Sequence, residues 1–242
     1  MTLITSPSSP STPPTRRPFF PPLTTRQTLY VLLMHSIGSG FLDAGINFAI
    51  AYAMYKNSPS FLWNFPNTLA GDAAVTVLVQ GTLTWVLDGA LTWKDVRAGT
   101  VRPIVEAGVE GWRLPQSGLG AWLTRPSLDL FGPGISGRAR VQRIVNAFIR
   151  GFVFSLLCLP LAWGLGIGLG CAFWPAMRHN EDVMGWGPLI WKAVYTFFLG
   201  ALTTPVTTLI AMAQATPRLD DAGFKMDEAG EGVRGARADD KA

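Results

Sequence analysis

The sequence predicts an all-α polytopic membrane protein, whose four transmembrane helices form two antiparallel hairpins between disordered termini. Three observations support this prediction. Apolar residues make up 48% of the chain and charged residues only 15%, whereas charged residues are about a quarter of a typical soluble domain. Four long apolar stretches follow one another along the chain, and lysine and arginine concentrate in alternate segments between them.

The four apolar stretches are each long enough to cross a bilayer, which needs about 20 residues of helix. We name them span 1 (residues 28–54), span 2 (67–91), span 3 (144–173) and span 4 (188–213). They form one domain, 28–213, with a long loop at 92–143. The head, 1–27, is rich in Pro, Ser and Thr, and the tail, 214–242, is rich in charge and glycine. Both compositions predict disorder.

Orientation follows from the basic residues, because cytosolic segments carry the excess of lysine and arginine. The two short loops contain only Lys56 and Arg178, whereas the long loop contains eight basic residues between Lys94 and Arg143. The sequence therefore predicts cytosolic termini and a cytosolic long loop. An endomembrane is favoured, with a mitochondrial membrane as the alternative, because the head contains arginines and no acid.

Polar residues recur at helical spacing inside spans 1 and 2. In span 1, Ser36, Ser39, Gly40, Asp43 and Asn47 fall on one stripe. In span 2, polar residues occur every four positions, at Asp72, Thr76, Gln80, Thr84 and Asp88. We expect these two stripes to face each other, either as hydrogen bonds that fix the bundle or as a polar pathway. The first interpretation is favoured, because four helices leave little room for an aqueous path.

Two basic residues inside spans predict ion pairs at matching depth. Arg150 in span 3 is expected to pair with Asp88, and Lys192 in span 4 is expected to pair with Asp72. Lys192 also has the alternative of reaching the headgroups along its flexible stem.

Span 3 contains two overlapping Gly-x-x-x-Gly frames, Gly164 with Gly168 and Gly166 with Gly170. Such frames let helix backbones approach closely. Packing within the monomer and association with a partner or a second copy are both consistent with them. Membrane lipids are the other expected partner.

The sequence predicts no enzyme, no cofactor and no metal site. No phosphate-binding loop, nucleophile elbow or zinc-binding pair of histidines occurs. Cys158 and Cys171 lie thirteen residues apart on one helix, which is too far for a disulfide. His35 has no second histidine or cysteine near it in the sequence, and no concentrated basic face predicts nucleic-acid binding.

Three strings in spans 1 and 2 carry a resemblance. They are Phe41-Leu42-Asp43-Ala44, the stretch 68–76 (TLAGDAAVT) and Thr84-Trp85-Val86-Leu87-Asp88. Together they resemble a fungal family of uncharacterised multi-pass membrane proteins that carry a domain of unknown function. The resemblance implies a helical membrane protein and brings no established activity, so it assigns no catalytic residue.

Three functions remain open on this sequence. The leading hypothesis is a non-enzymatic assembly or organising factor that acts through helix packing with partners. The alternative is a small oligomeric transporter or channel that uses the polar stripes of spans 1 and 2. A membrane enzyme that uses the same aspartates comes third, since no nucleophile or metal set supports it.

Overall fold

The computed structural model describes residues 23–65, 67–104, 115, 117–126, 128–130, 132, 134–183 and 185–221. The predictions for most of the head and the tail therefore lie outside the described residues. Four long helices in the described part are apolar enough to cross a membrane. They confirm the predicted all-α class with four membrane-spanning helices.

Each span extends beyond at least one of its predicted ends. Span 1 is Thr25–Tyr55, span 2 is Leu69–Arg97, span 3 is Gly137–Phe173 and span 4 is Gly187–Asp221. Short helices occupy Gly118–Leu123 in the long loop and Pro175–Arg178 between spans 3 and 4. The extra residues lie mainly on the side of the long loop, where the polar residues 92–97 and 137–143 continue their helices. Charged side chains at a membrane surface are compatible with a helix end as well as with a loop, so hydropathy alone ends span 2 too early and begins span 3 too late.

Side-chain caps fix three of the helix starts. Thr24, Thr68 and Ser136 each accept a hydrogen bond from the backbone N–H three residues later. Gln27 completes the first cap by accepting from the backbone N–H of Thr24. These caps satisfy N–H groups that the helices leave unpaired.

The packing order of the helices differs from their order in the sequence. Span 1 packs chiefly on span 4, span 4 also packs on span 2, and span 2 packs on span 3. Half of the apolar window is buried in spans 2 and 4, against 22% in span 1 and 17% in span 3. Spans 2 and 4 are thus the centre of the bundle, and spans 1 and 3 lie on its flanks with their apolar faces towards the membrane.

Glycines allow the closest approaches between spans. A Cβ at Gly40 would lie 2.9 Å from the carbonyl oxygen of Phe197, which brings span 1 against the backbone of span 4. A Cβ at Gly81 would lie 2.4 Å from Oγ of Ser155, and one at Gly151 would lie 2.8 Å from Cβ of Trp85. Small residues at these crossings are typical of helix packing in membranes, where dispersion contacts drive association.

Both ends of the bundle are covered by loops. On the short-loop side, the backbone N–H of Ser60 donates to Asp182 and that of Trp63 donates to Asn180, at 2.9 Å each. On the long-loop side, Asp129 is held between Arg97 and Arg143, and Leu128 is fully buried against Gly89. The long loop therefore docks back onto the ends of spans 2 and 3.

Candidate functional site: a polar core between spans 1, 2 and 4

Polar and titratable side chains meet at three depths where spans 1, 2 and 4 converge. We call this set the polar core. Its members are Tyr30, His35, Ser36, Ser39, Asp43, Asn47, Asp72, Gln80, Asp88, Asp95, Lys192, Thr196 and Thr204. Buried polar groups are stable when they form hydrogen bonds with one another, and most members of the polar core have such a partner at their own depth.

The level nearest the short loops contains a buried ion pair. Lys192 Nζ lies 2.6 Å from both carboxylate oxygens of Asp72. The side chain of Lys192 is only 2% exposed and that of Asp72 is 13% exposed. The Lys192–Asp72 pair predicted from sequence is present, and the ammonium does not reach out to the headgroup region.

The middle level is a hydrogen-bond network around Asp43. Gln80 donates from Nε2 to Asp43 Oδ2 at 2.7 Å and to the carbonyl oxygen of Thr196 at 3.3 Å. Asn47 donates from Nδ2 to Gln80 Oε1 at 3.3 Å and to the backbone carbonyl of Asp43 at 3.0 Å. Gly200 packs directly against the carboxylate, since a Cβ there would lie 2.1 Å from Asp43 Oδ2. Spans 1, 2 and 4 are joined at this level.

The stripe of span 1 faces span 4 more than span 2, which corrects the expectation that the stripes of spans 1 and 2 face each other. Ser36 Oγ donates to the carbonyl oxygen of Ala201 at 2.8 Å, and Ser39 Oγ shares a 2.7 Å hydrogen bond with Thr204 Oγ1. Within this stripe, the described contacts to span 2 run from Asp43 and Asn47 to Gln80. A short loop fixes where two helices begin and end, but it does not make them each other's nearest neighbours.

The level nearest the long loop is organised by a π-helical segment, Tyr30–Gly38. Hydrogen bonds from residue i to i+5 place side chains five apart above one another, so the rings of Tyr30 and His35 have centroids 4.6 Å apart. His35 Nδ1 lies 3.7 Å from Asp88 Oδ1, and the Tyr30 hydroxyl donates to Asp95 Oδ2 at 2.7 Å. The π-segment thus aligns two side chains of span 1 with two acids of span 2.

Arg150 is not part of the polar core, and the predicted Asp88–Arg150 pair is wrong. Arg150 donates from Nη1 to the carbonyl oxygen of Arg125 at 2.5 Å, and its guanidinium lies 5.5 Å from the Trp122 ring. On span 2, the face towards span 3 and the long loop carries Gly81, Trp85 and Gly89. Asp88 lies on the neighbouring face, towards His35. The two residues lie at a similar depth but point towards different neighbours. Depth does not determine which face of a helix a residue occupies.

Apart from Lys192, sequence reasoning missed the contribution of span 4 to the polar core. Thr196 and Thr204 bond to span 1, and Gly200 contacts Asp43. With Lys192 and Thr208 they form a series spaced by four, 192, 196, 200, 204 and 208, that repeats the spacing of the stripe in span 2. That spacing was the available signal. Thr76 of the predicted set is also buried.

The four glycines of the Gly-x-x-x-Gly frames in span 3 divide into two faces. A Cβ at Gly166 would lie 2.3 Å from the Tyr195 ring, and one at Gly170 would lie 2.7 Å from the side chain of Met177. Gly164 and Gly168 are exposed and have nothing within 4 Å of where a Cβ would stand. One frame therefore packs inside the monomer, and the other lies open on the surface of span 3.

No group of three or more metal-binding side chains occurs among the described residues. The carboxylates of the polar core are held by lysine, glutamine, histidine and tyrosine side chains. The arrangement can hold helices together, and it places titratable groups at three depths.

Comparison with known proteins supports an uncharacterised fungal group. A family of proteins of unknown function (DUF2456) matches residues 138–212. An uncharacterized protein of Schizosaccharomyces pombe is 32% identical over 186 residues, covering 75% of this chain and 36% of that protein. An uncharacterized protein of Saccharomyces cerevisiae is 33% identical over 100 residues, covering 40% of this chain and 27% of that protein. No solved structure matches the chain.

The chain spans about a third or less of the length of these two relatives. It is similar to fungal proteins of unknown function, as the resemblance predicted. The family match covers spans 3 and 4, whereas the strings that carry the resemblance lie in spans 1 and 2.

Proposed function

We propose that this protein is a non-enzymatic membrane protein that acts through helix packing with partners or with further copies of itself. The observation that carries the proposal is the open glycine frame of span 3, Gly164 with Gly168. Glycine in a helix interior costs about 1 kcal/mol relative to alanine. Nothing among the described residues packs against this Gly-x-x-x-Gly frame, so the frame is best explained by a helix outside the monomer.

The polar core supports the same proposal. Asp43, Gln80 and Asn47 bond to one another and to Thr196, and Asp72 is paired with Lys192. Such bonds hold spans 1, 2 and 4 in a fixed arrangement, and span 3 packs on this scaffold through span 2. A rigid, preorganised surface loses less entropy when a partner helix docks on it.

Substitution of the open glycines tests this proposal. Gly164→Leu and Gly168→Leu should each weaken association of the protein in membranes about tenfold, because side chains there keep a neighbouring helix away. Association is measured by energy transfer between labelled copies in vesicles, and by crosslinking through Gly164→Cys in native membranes. Gly45→Leu is the matched control, since Gly45 of span 1 also has nothing within 4 Å. Leucine variants that associate as well as the control would overturn the proposal.

We propose cytosolic termini and a cytosolic long loop in an endomembrane, with a mitochondrial membrane as the alternative. The long-loop side carries Arg97, Arg102, Arg138, Arg140 and Arg143, against Lys56 and Arg178 on the other side. That asymmetry follows the positive-inside rule. Labelling of Ser117→Cys from the cytosolic side alone is the expected result in sealed vesicles.

The second candidate is transport of a proton or small cation along the polar core. It is favoured by one observation: His35 is 7% exposed, and its Nε2 atom has no hydrogen-bond partner within the described residues. Ionisable groups inside membranes often line ion pathways. Flux into proteoliposomes that Asp43→Asn abolishes would favour transport, whereas the helix-packing proposal expects no flux from either protein.

A further inference from the structure

An apolar cleft of about 810 Å³ separates spans 3 and 4. Its lining extends from Phe154 to Trp174 on one side and from Trp191 to Val206 on the other. The rims are exposed, with Leu161 at 70% and Leu202 at 68%, whereas the floor is buried around Gly166 and Tyr195. The cleft therefore opens sideways, on the face that the spans present to the membrane.

The cleft has the length of the hydrocarbon core of a bilayer. From Phe154 to Phe173 span 3 rises about 29 Å at 1.5 Å per residue, and the hydrocarbon core is about 30 Å thick. The hydroxyl of Thr203 in the wall needs no hydrogen bond from an occupant, because it already donates to the carbonyl oxygen of Leu199 at 2.7 Å. An occupant must be apolar along most of this length.

The cross-section suits an acyl chain better than a helix lying wholly inside the cleft. A volume of 810 Å³ spread over about 29 Å of helix rise gives a mean section of about 28 Å². A helix with its side chains is about 10 Å across and needs about 80 Å². A methylene group takes up about as much space as a water molecule, about 30 Å³, so the cleft holds about 27 such groups. That is the size of one or two acyl chains.

A cationic side chain lies just beyond the short-loop end of span 3. Arg178 ends the short helix Pro175–Arg178, directly after Trp174 of the lining. Its Nε donates to the carbonyl oxygen of Cys171 at 3.3 Å, and the residue is exposed. Guanidinium groups bind phosphate well, and tryptophan favours the headgroup level. Glu181 is the nearest acid along the chain, and no ion pair joins it to Arg178 among the described residues.

We propose that the cleft between spans 3 and 4 binds one phospholipid. Its acyl chains lie in the cleft, and its anionic headgroup lies at Arg178. This site is independent of the helix-packing proposal. Gly164 and Gly168 do not line the cleft, and they lie on the opposite side of span 3 from Gly166, at about 100° per residue. Lipid in the cleft would complete the side of the bundle where spans 3 and 4 make few contacts.

Retention of lipid by the full chain tests the proposal. The protein is exchanged from vesicles of phosphatidylcholine and phosphatidylglycerol into detergent, and bound phospholipid is counted by native mass spectrometry. Leu161→Trp and Leu165→Trp fill the cleft and should lower retained phospholipid at least fivefold. Leu156→Trp is the matched control, because Leu156 is 49% exposed on the same span and does not line the cleft. Arg178→Gln should lower the preference for phosphatidylglycerol about fivefold.

Equal retention by Leu161→Trp, Leu165→Trp and Leu156→Trp would overturn the proposal. So would a second copy of the chain found in the cleft, seen as a dimer that Leu161→Trp disrupts. A third outcome concerns the headgroup alone. If the cleft variants lose phospholipid but the parent chain and Arg178→Gln both show no headgroup preference, the headgroup assignment is contradicted. Folding of each variant is checked by the position and width of its size-exclusion peak.

Discussion

Lys192→Met should lower the free energy of unfolding by about 3 to 5 kcal/mol, because it leaves the Asp72 carboxylate buried without its cation. The ammonium lies 2.6 Å from both oxygens of that carboxylate, and the side chain of Lys192 is 2% exposed. Methionine has a similar length and apolar stem, so the lost charge dominates the effect. Unfolding in mixed micelles with increasing denaturing detergent measures it.

A double-mutant cycle separates the pair from its two members. Asp72→Asn with Lys192→Met should recover at least half of the loss, because no unpaired charge is left buried. Lys94→Met is the control, since Lys94 is an exposed lysine of span 2 and its loss should change stability by less than about 0.5 kcal/mol. Additive losses in the double variant would show that the two charges do not interact in the folded protein.

Gly200→Ala should cost about 2 to 3 kcal/mol, at the upper end of the usual penalty for overpacking. The added Cβ would lie 2.1 Å from Oδ2 of Asp43 and 3.1 Å from its Cγ. The carboxylate cannot turn away freely, because Gln80 donates to the same oxygen at 2.7 Å. Either that hydrogen bond breaks or spans 1 and 4 move apart, and both outcomes appear as a lower midpoint of thermal unfolding.

A second substitution should relieve the clash. In an Asp43→Ala background the carboxylate is absent, so Gly200→Ala should cost less than about 0.5 kcal/mol further. Gly45→Ala, with nothing within 4 Å, should be neutral or stabilising by up to about 1 kcal/mol. A Gly200→Ala protein as stable as the parent chain would contradict the close contact between spans 1 and 4.

Length, hydropathy and charge were enough to predict the spans, because crossing a bilayer imposes those properties on each helix separately. The pairing of Asp72 with Lys192 was also predictable. Each is the only charged residue in its part of the span, and a buried charge needs a partner at its own depth.

Helix rotation and packing order were not predictable in the same way. Asp88 and Arg150 have similar depth but lie on faces that point to different neighbours. The stripe of span 1 meets span 4 because Gly40 and Gly200 allow that approach, and a loop length carries no such information. The π-segment at Tyr30–Gly38, which aligns Tyr30 with His35, breaks the 3.6-residue period on which stripe analysis depends.

In this structure spans 1, 2 and 4 enclose the polar side chains, with span 1 against span 4. Crosslinking of Ser39→Cys with Thr204→Cys, in a chain whose Cys158 and Cys171 are changed to Ser, tests it most directly. The parent oxygens lie 2.7 Å apart, which is well within the reach of a disulfide. We expect near-complete crosslinking in native membranes under mild oxidation, and none for Ser39→Cys with Ser155→Cys of span 3. A folded protein that leaves the 39–204 pair unlinked, or links 39 to 155 instead, would contradict the arrangement.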